Sequence, residues 1–133
     1  MDIETGHRKR IALIAHDARK DELVNWVTEH RDTLLRHELL ATGTTGRLVE
    51  EALQTPVHKL LSGPLGGDLQ IGALIAEGQV DVLIFFWDPL AAQPHDPDIK
   101  ALLRVGVLYN IPTASNEATA NLILTGLLAV MDG

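Results

Sequence analysis

The sequence has no cysteine, and it has no excess of basic residues. The first absence excludes disulfide bonds, thiolate metal sites and cysteine nucleophiles. The second follows from 18 acidic against 11 basic side chains, which give a formal charge of -7. Such a charge disfavours general nucleic acid binding, because that binding depends on a positive field around the phosphates. An anionic substrate would therefore need a pocket that is locally positive.

Long apolar runs are also missing. No stretch approaches the roughly 20 residues of a membrane-spanning helix, and the start MDIETGHRKR has no apolar segment of signal-peptide length. We therefore expect a cytoplasmic protein with no membrane partner. A length of 133 residues, 46% of them hydrophobic, suits one domain over residues 1–133, in which residues 1–9 are expected to be flexible.

Strand-like and helix-like segments alternate along the chain. The predicted strands cover residues 11–15, 38–41, 57–61, 80–87 and 111–114. The predicted helices cover residues 20–36, a segment after 46, and residues 68–77 and 98–109, and a last helix follows 116. This order predicts an α/β protein with a three-layer doubly wound fold, in which helices flank a five-stranded parallel sheet. Ligands of such folds bind beyond the carboxyl ends of the strands.

Two glycine-rich segments follow predicted strands at that edge. TGTTG, residues 42–46, stands at a strand-to-helix junction, where free amides and the helix dipole attract anions such as phosphate. It matches neither the P-loop nor GxGxxG, which argues against nucleotide binding. SGPLGGD, residues 62–68, adds a hydroxyl, further amides and Asp68, a candidate general base. TGTTG is equally typical of an ordinary turn with a capped helix, and SGPLGGD, taken alone, is more typical of such a turn than of a functional site.

Two further segments bring histidine to the same edge. His16 and Lys20 lie four residues apart across the first strand-to-helix turn, and Lys20 would supply local positive charge. The segment FFWDPLAAQPHDPD, residues 85–98, carries Asp88, His95 and Asp98 in a loop stiffened by prolines. Helix and turn capping explain its aspartates well but do not explain His95, which we take as a site residue. The histidines lack the close spacing of a metal site.

Taken in order, IALIAHD, LLATGTTG, LLSGPLGGD, VDVLIFFWDPL and PHDPDIKALLR resemble the methylglyoxal synthase family over nearly the whole chain. The resemblance implies a lyase that converts dihydroxyacetone phosphate to methylglyoxal and inorganic phosphate through an enediolate. It also implies a homohexamer without metal or organic cofactor, in which phosphate is the product and a candidate inhibitor. The main alternative is a non-catalytic phosphate- or nucleotide-sensing module of the same fold. A weaker one is an activity like that of triose phosphate isomerase.

The resemblance also implies roles for individual residues. Asp68 would be the catalytic base, His95 would act near the carbonyl and hydroxyl oxygens, and Asp98 would assist catalysis. Asp17 and Asp88 would support the pocket. The remaining residues would bind the substrate or its phosphate, and they are His16, Lys20, Thr42, Gly43, Thr44, Thr45, Ser62 and Gly63.

Overall fold

The computed structural model describes residues 8–91 and 96–132, with side chains described as far as residue 127. Five parallel strands form one sheet in the order β3-β2-β1-β4-β5. They are β1 (Arg10–Ala15), β2 (Glu38–Thr42), β3 (His58–Leu60), β4 (Val82–Phe86) and β5 (Thr113–Ala114). The predicted five-stranded parallel sheet is confirmed. The seven residues 1–7, which make up most of the predicted flexible start, lie outside the described residues.

Helices cover both faces of the sheet in the described ranges. They are α1 (Lys20–Glu29), α2 (Arg31–Leu34), α3 (Gly43–Leu53), α4 (Gly67–Ala76), α5 (Asp96–Leu108) and α6 (Glu117–Asp132). Two short 3₁₀ turns occupy Asp17–Arg19 and Gly63–Leu65. Across residues 8–91 and 96–132, the helices are all too short or too polar to span a lipid bilayer.

The strand order reverses between β1 and β4. The chain first moves outward from β1 to β2 and β3, and then returns to place β4 on the other side of β1. The register puts Ile14 opposite Phe85 and Ala15 opposite Phe86. A reversal of this kind leaves a crevice at the carboxyl ends of the two strands, because the connections leave them in opposite directions.

The two faces of β1 bury different side chains. Ile11, Leu13 and Ala15 belong to a core with α1, α3 and α6, whereas Ala12 and Ile14 belong to a second core with α4 and α5. Burial on both faces explains why the strand reads as a continuous apolar run.

The indole of Trp26 is fully buried in the first core, and its Nε1–H donates a hydrogen bond to Asn121 Oδ1 at 2.8 Å. This bond joins α1 to α6.

Some predicted boundaries differ from the observed ones. The single helix expected over 20–36 breaks at His30, whose φ of -107° and ψ of 23° are not helical. The break lets Leu34 in α2 reach the core while the chain turns toward β2.

In addition, α3 begins at Gly43, so most of TGTTG is the first turn of the helix rather than a loop before it. The predicted strand 80–87 shortens to Val82–Phe86, and Trp87 lies partly exposed beyond it.

A buried histidine joins the amino ends of β1 and β2. His37 is 4% exposed, and its Nδ1 accepts a hydrogen bond from the backbone N–H of Lys9 at 2.9 Å. Burial is the main cause that lowers the pKa of His37, and the positive charges of Arg8, Lys9 and Arg36 lower it further. Neutral His37 is therefore the form that the fold favours.

We expect the free energy of unfolding to fall as the pH drops below about 6.5, the ordinary pKa of histidine. Below that pH the unfolded chain binds a proton at His37 that the folded chain resists until its own, lower pKa is reached. In urea titrations between pH 8 and pH 5.5, the variant His37→Asn should lose part of this dependence, because its amide oxygen can accept the Lys9 bond without titrating. An identical pH dependence in both proteins would contradict this assignment.

Candidate active site

A cavity of about 380 Å³ opens at the carboxyl ends of the strands, where the strand order reverses. Most of the residues predicted for the site line it, although they come from four separate segments of the chain. They are His16, Asp17, Lys20, Thr42, Thr44, Thr45, Ser62, Gly63, Asp68 and Asp88. The edge of the sheet that the sequence predicts for the site is therefore the edge at which this cavity lies.

Three of the predicted site residues are not among the described residues that line the cavity. His95 lies outside the described residues. Asp98 sits in the first turn of α5 and is not among the described residues that line the cavity. Gly43 is likewise absent from the described lining, and its N–H donates to the carbonyl of Leu61 at 3.2 Å. That bond ties the start of α3 to the end of β3.

Lys20 supplies positive charge to the cavity. It is the first residue of α1, and its Nζ donates to the carbonyl of Ala15 at 3.0 Å and to Asp17 Oδ1 at 2.7 Å. The Lys20 side chain is 17% exposed, whereas that of Asp17 is fully exposed. The hydrogen bond from Lys20, together with its charge, lowers the pKa of Asp17. Lys20 is thus held at the cavity wall by one main-chain oxygen and one exposed carboxylate.

The amino end of α3 forms the second wall. Thr42 and Thr45 are 4% and 2% exposed, and Thr45 Oγ1 donates to the carbonyl of Ala15 at 3.4 Å. Thr42 precedes the helix without capping it through its side chain. The first amides of an α-helix have no partner inside the helix, and they favour an anion there. The N–H groups of Thr44 and Thr45, two residues that line the cavity, are therefore candidates for binding an anion, whereas the N–H of Gly43 is bonded to Leu61.

The third wall is a tight loop that requires glycine. Ser62 begins the 3₁₀ turn, and its carbonyl accepts hydrogen bonds from the N–H groups of Leu65 and Gly67, at 3.0 and 2.9 Å. A Cβ at Gly67 would overlap the carbonyl oxygen of Leu61 and lie 2.9 Å from Thr42 Cγ2. This close approach joins the start of α4 to the ends of β2 and β3.

Asp68 follows directly and is buried. It is the second residue of α4, is 1% exposed and lines the cavity. A carboxylate held in a fixed position beside an anion site can take a proton from a bound ligand, provided that the ligand brings an acidic C–H within reach. The order of residues in SGPLGGD thus places the candidate base at the loop that also carries Ser62 and Gly63.

His16 closes the cavity between β1 and β4. It is 7% exposed, and its ring stands edge-on to Phe85 with the centroids 5.2 Å apart. Its Nδ1 accepts a hydrogen bond from the backbone N–H of Asp88 at 3.0 Å. The backbone N–H of His16 donates to the carbonyl of Phe86 at 3.1 Å. The carboxyl ends of β1 and β4 are therefore joined by the imidazole as well as by the main chain.

Sequence reasoning did not identify the carbonyl of Ala15 as part of the site. This oxygen accepts hydrogen bonds from both Lys20 and Thr45, and so it positions the lysine and one threonine of the TGTT turn together. A main-chain atom carries no signal in the sequence, because every residue has one. Pro64 and Ala91, which also line the cavity, are equally inconspicuous in the sequence.

No group of three or more His, Asp or Glu side chains in residues 8–91 and 96–132 is arranged to hold a metal ion. The described part of the cavity instead combines a lysine, the start of a helix, a buried carboxylate and an imidazole. Such a set can bind a small phosphorylated compound and abstract a proton from it.

Comparisons with known proteins extend this description. Residues 22–115 match the family described as the MGS-like domain. A methylglyoxal synthase from Leptospira interrogans is 63% identical over 117 residues, which cover 88% of this chain and 79% of that protein. A methylglyoxal synthase from Pseudoalteromonas atlantica is 57% identical over 123 residues, which cover 92% and 91%.

A solved structure is also similar. The crystal structure of methylglyoxal synthase from Elizabethkingia anophelis NUHP1 superposes with a TM-score of 0.83 at 56% sequence identity. The match covers 89% of this chain and 78% of that one. The sequence comparisons and the structural comparison therefore both match this chain to methylglyoxal synthases over most of its length.

Proposed function

The chain belongs to the methylglyoxal synthase family, and from that premise we propose that its cavity eliminates phosphate from dihydroxyacetone phosphate to give methylglyoxal. Membership in this family makes the chain a lyase that cleaves a carbon–oxygen bond. The observation that carries the proposal is the placement of Asp68 in one cavity with Lys20 and the start of α3.

The anion-binding half would hold the phosphate. Lys20 would contribute charge. The amides of Thr44 and Thr45 in the first turn of α3, together with the Ser62–Gly63 loop, would contribute hydrogen bond donors. This half lies within a protein whose formal charge is -7. Local donors, rather than the overall field, would therefore bind the dianion.

Asp68 would begin the chemistry. Its carboxylate takes a proton from the hydroxymethyl carbon, and the electron pair of that C–H bond moves toward the carbonyl to form an enediolate. In our proposal His95 balances the charge at the carbonyl and hydroxyl oxygens, His16 also contacts the substrate, and Asp98 assists. Asp17 and Asp88 support the pocket from its rim.

The orientation of the phosphate would then select the product. If the carbon–oxygen bond to phosphate is held perpendicular to the enediolate plane, the electron pair of the enediolate displaces phosphate as that bond breaks. If the bond lies in the plane, the intermediate survives and is reprotonated as an isomerase product. The enol of methylglyoxal that remains after elimination takes a proton on carbon and becomes methylglyoxal without help from the enzyme.

The decisive experiment incubates the protein with dihydroxyacetone phosphate and measures released phosphate and trapped dicarbonyl together. We expect the two products in equal amounts. Phosphate without dicarbonyl would indicate a phosphatase, and glyceraldehyde 3-phosphate would indicate an isomerase. No product at all, with phosphate still bound, would favour the sensing module.

Lys20→Ala should weaken binding of substrate and of free phosphate together, by about tenfold to a hundredfold, as expected for the loss of a charged hydrogen bond. The carboxylate of Asp17, left without its partner, adds repulsion toward the anion. Inhibition by inorganic phosphate measures the effect. Lys59→Ala is the matched control, because Lys59 also pairs with a carboxylate, Glu50, but does not line the cavity. Unchanged phosphate inhibition in Lys20→Ala would remove Lys20 from the anion site.

A homohexameric assembly, inhibition by the phosphate product and a cytoplasmic location stay predictions, and so does the absence of a cofactor. Sedimentation of the purified protein measures the first, and product inhibition kinetics measure the second.

A further inference from the structure

We propose that the main-chain amide of Asp88 fixes His16 as a neutral imidazole with its proton on Nε2, so that His16 donates a hydrogen bond to the substrate and transfers no proton. The assignment of the tautomer depends on the geometry alone. The role toward the substrate rests on the proposed elimination reaction.

The tautomer follows from the hydrogen bond at Nδ1. The backbone N–H of Asp88 is a donor and lies 3.0 Å from His16 Nδ1, so Nδ1 must offer its lone pair. In a neutral ring the proton is then on Nε2. An imidazolium would place a second N–H against the amide, and this bond would be lost.

The amide itself is held in place from both sides. Asp88 Oδ1 accepts a hydrogen bond from the N–H of Leu90 at 3.0 Å, which closes a local turn after β4. On the other side, the backbone N–H of His16 donates to the carbonyl of Phe86, and Ala15 pairs with Phe86 in the sheet. The imidazole cannot turn over without breaking a bond anchored in the pairing of β1 with β4.

The arrangement separates the chemical tasks of the site. A histidine that shuttles protons must alternate between its neutral and charged forms. Here the charged form would lose the hydrogen bond from the Asp88 amide to Nδ1. A neutral imidazole N–H can still polarise an oxygen on which charge develops, as enzymes that form enediolates do elsewhere. In the proposed reaction, proton transfer is then assigned to Asp68 and to groups other than His16.

Long-range ¹⁵N–¹H NMR correlation on protein labelled at histidine tests the tautomer without any reaction. The His16 signals, identified by their loss in His16→Gln, should show an unprotonated Nδ1 and a protonated Nε2 at neutral pH. Asp88→Asn keeps a side-chain oxygen for the Leu90 bond and should preserve the pattern. A protonated Nδ1, or signals averaged between two tautomers, would overturn the proposal.

Two substitutions test the role. In His16→Asn the side-chain oxygen can replace Nδ1 as the acceptor for Asp88, but no donor reaches the Nε2 position. In His16→Gln the amide N–H can reach it. We expect His16→Gln to retain a kcat at least about tenfold above that of His16→Asn, because removing one donor to an oxygen that gains charge typically lowers kcat by about 100-fold or more.

Equal loss of kcat in both variants, at equal thermal stability, would contradict the donor role, since neither amide can transfer a proton. If the wild-type protein makes no methylglyoxal while NMR shows the Nε2–H tautomer, the proposed function fails and the tautomer assignment stands. If methylglyoxal forms and the NMR pattern is reversed, the tautomer assignment fails alone.

Discussion

Asp68→Asn should reduce kcat for methylglyoxal formation by about 100-fold or more, the usual range for loss of a general base. The substitution keeps the shape of a side chain that is 1% exposed, but it removes the basic oxygen. Binding of inorganic phosphate should persist or tighten, since one negative charge leaves the cavity. The measurement is a comparison of kcat with the inhibition constant for phosphate.

Asp32→Asn is a control that makes the same change of charge elsewhere. Asp32 is exposed in α2, which precedes the amino end of β2 at the opposite edge of the sheet. Its turnover should match that of the wild-type protein. Near-normal turnover in Asp68→Asn would remove Asp68 from the role of base, whereas loss of phosphate binding together with turnover would point to a damaged fold.

Gly67→Ala should destabilise the protein by about 3 kcal/mol and should also lower activity, because the residue precedes Asp68. The added methyl group would overlap the carbonyl oxygen of Leu61, which is main chain and cannot move aside as a flexible side chain could. Relief requires that the start of α4 shift away from β3. That shift would carry the Asp68 carboxylate with it. Urea unfolding and kcat give the two readouts.

The same helix provides the control. Gly72 is also in α4, but the nearest atom to a Cβ there is Leu102 Cδ1 at 3.9 Å, an ordinary van der Waals distance. Gly72→Ala should leave stability unchanged or raise it by up to about 1 kcal/mol, because alanine is the better helix former. A similar loss in both variants would show that the effect at Gly67 is not the clash with Leu61.

The sequence alone predicted much of this architecture because β1 and β4 are buried on both faces and read as unbroken apolar runs. It also predicted the edge where the cavity lies, because polar residues follow those strands. The break at His30 was not predicted, since the helical periodicity continues through it. There the packing of Leu34 outweighs the local pattern.

Contacts through the main chain were equally invisible in the sequence. Neither the bond from the Asp88 amide to His16 nor the shared carbonyl of Ala15 depends on a particular side chain at the main-chain partner. The roles assigned to the site residues all stay predictions. For His95 and Asp98 even the local setting is incomplete, because residues 92–95 lie outside the described residues.

Residues that meet at the site are far apart along the chain, and this separation affects the stage of folding at which activity appears. His16 and Asp88 are 72 residues apart, and they meet only when β1 has paired with β4. Closure of so long a loop is opposed by chain entropy, and native contacts of this kind are slow to form. In the proposed mechanism, a chain in which β1 has not yet paired with β4 has no positioned His16. We therefore expect full turnover, and with it the release of reactive dicarbonyl, only from molecules that have finished folding.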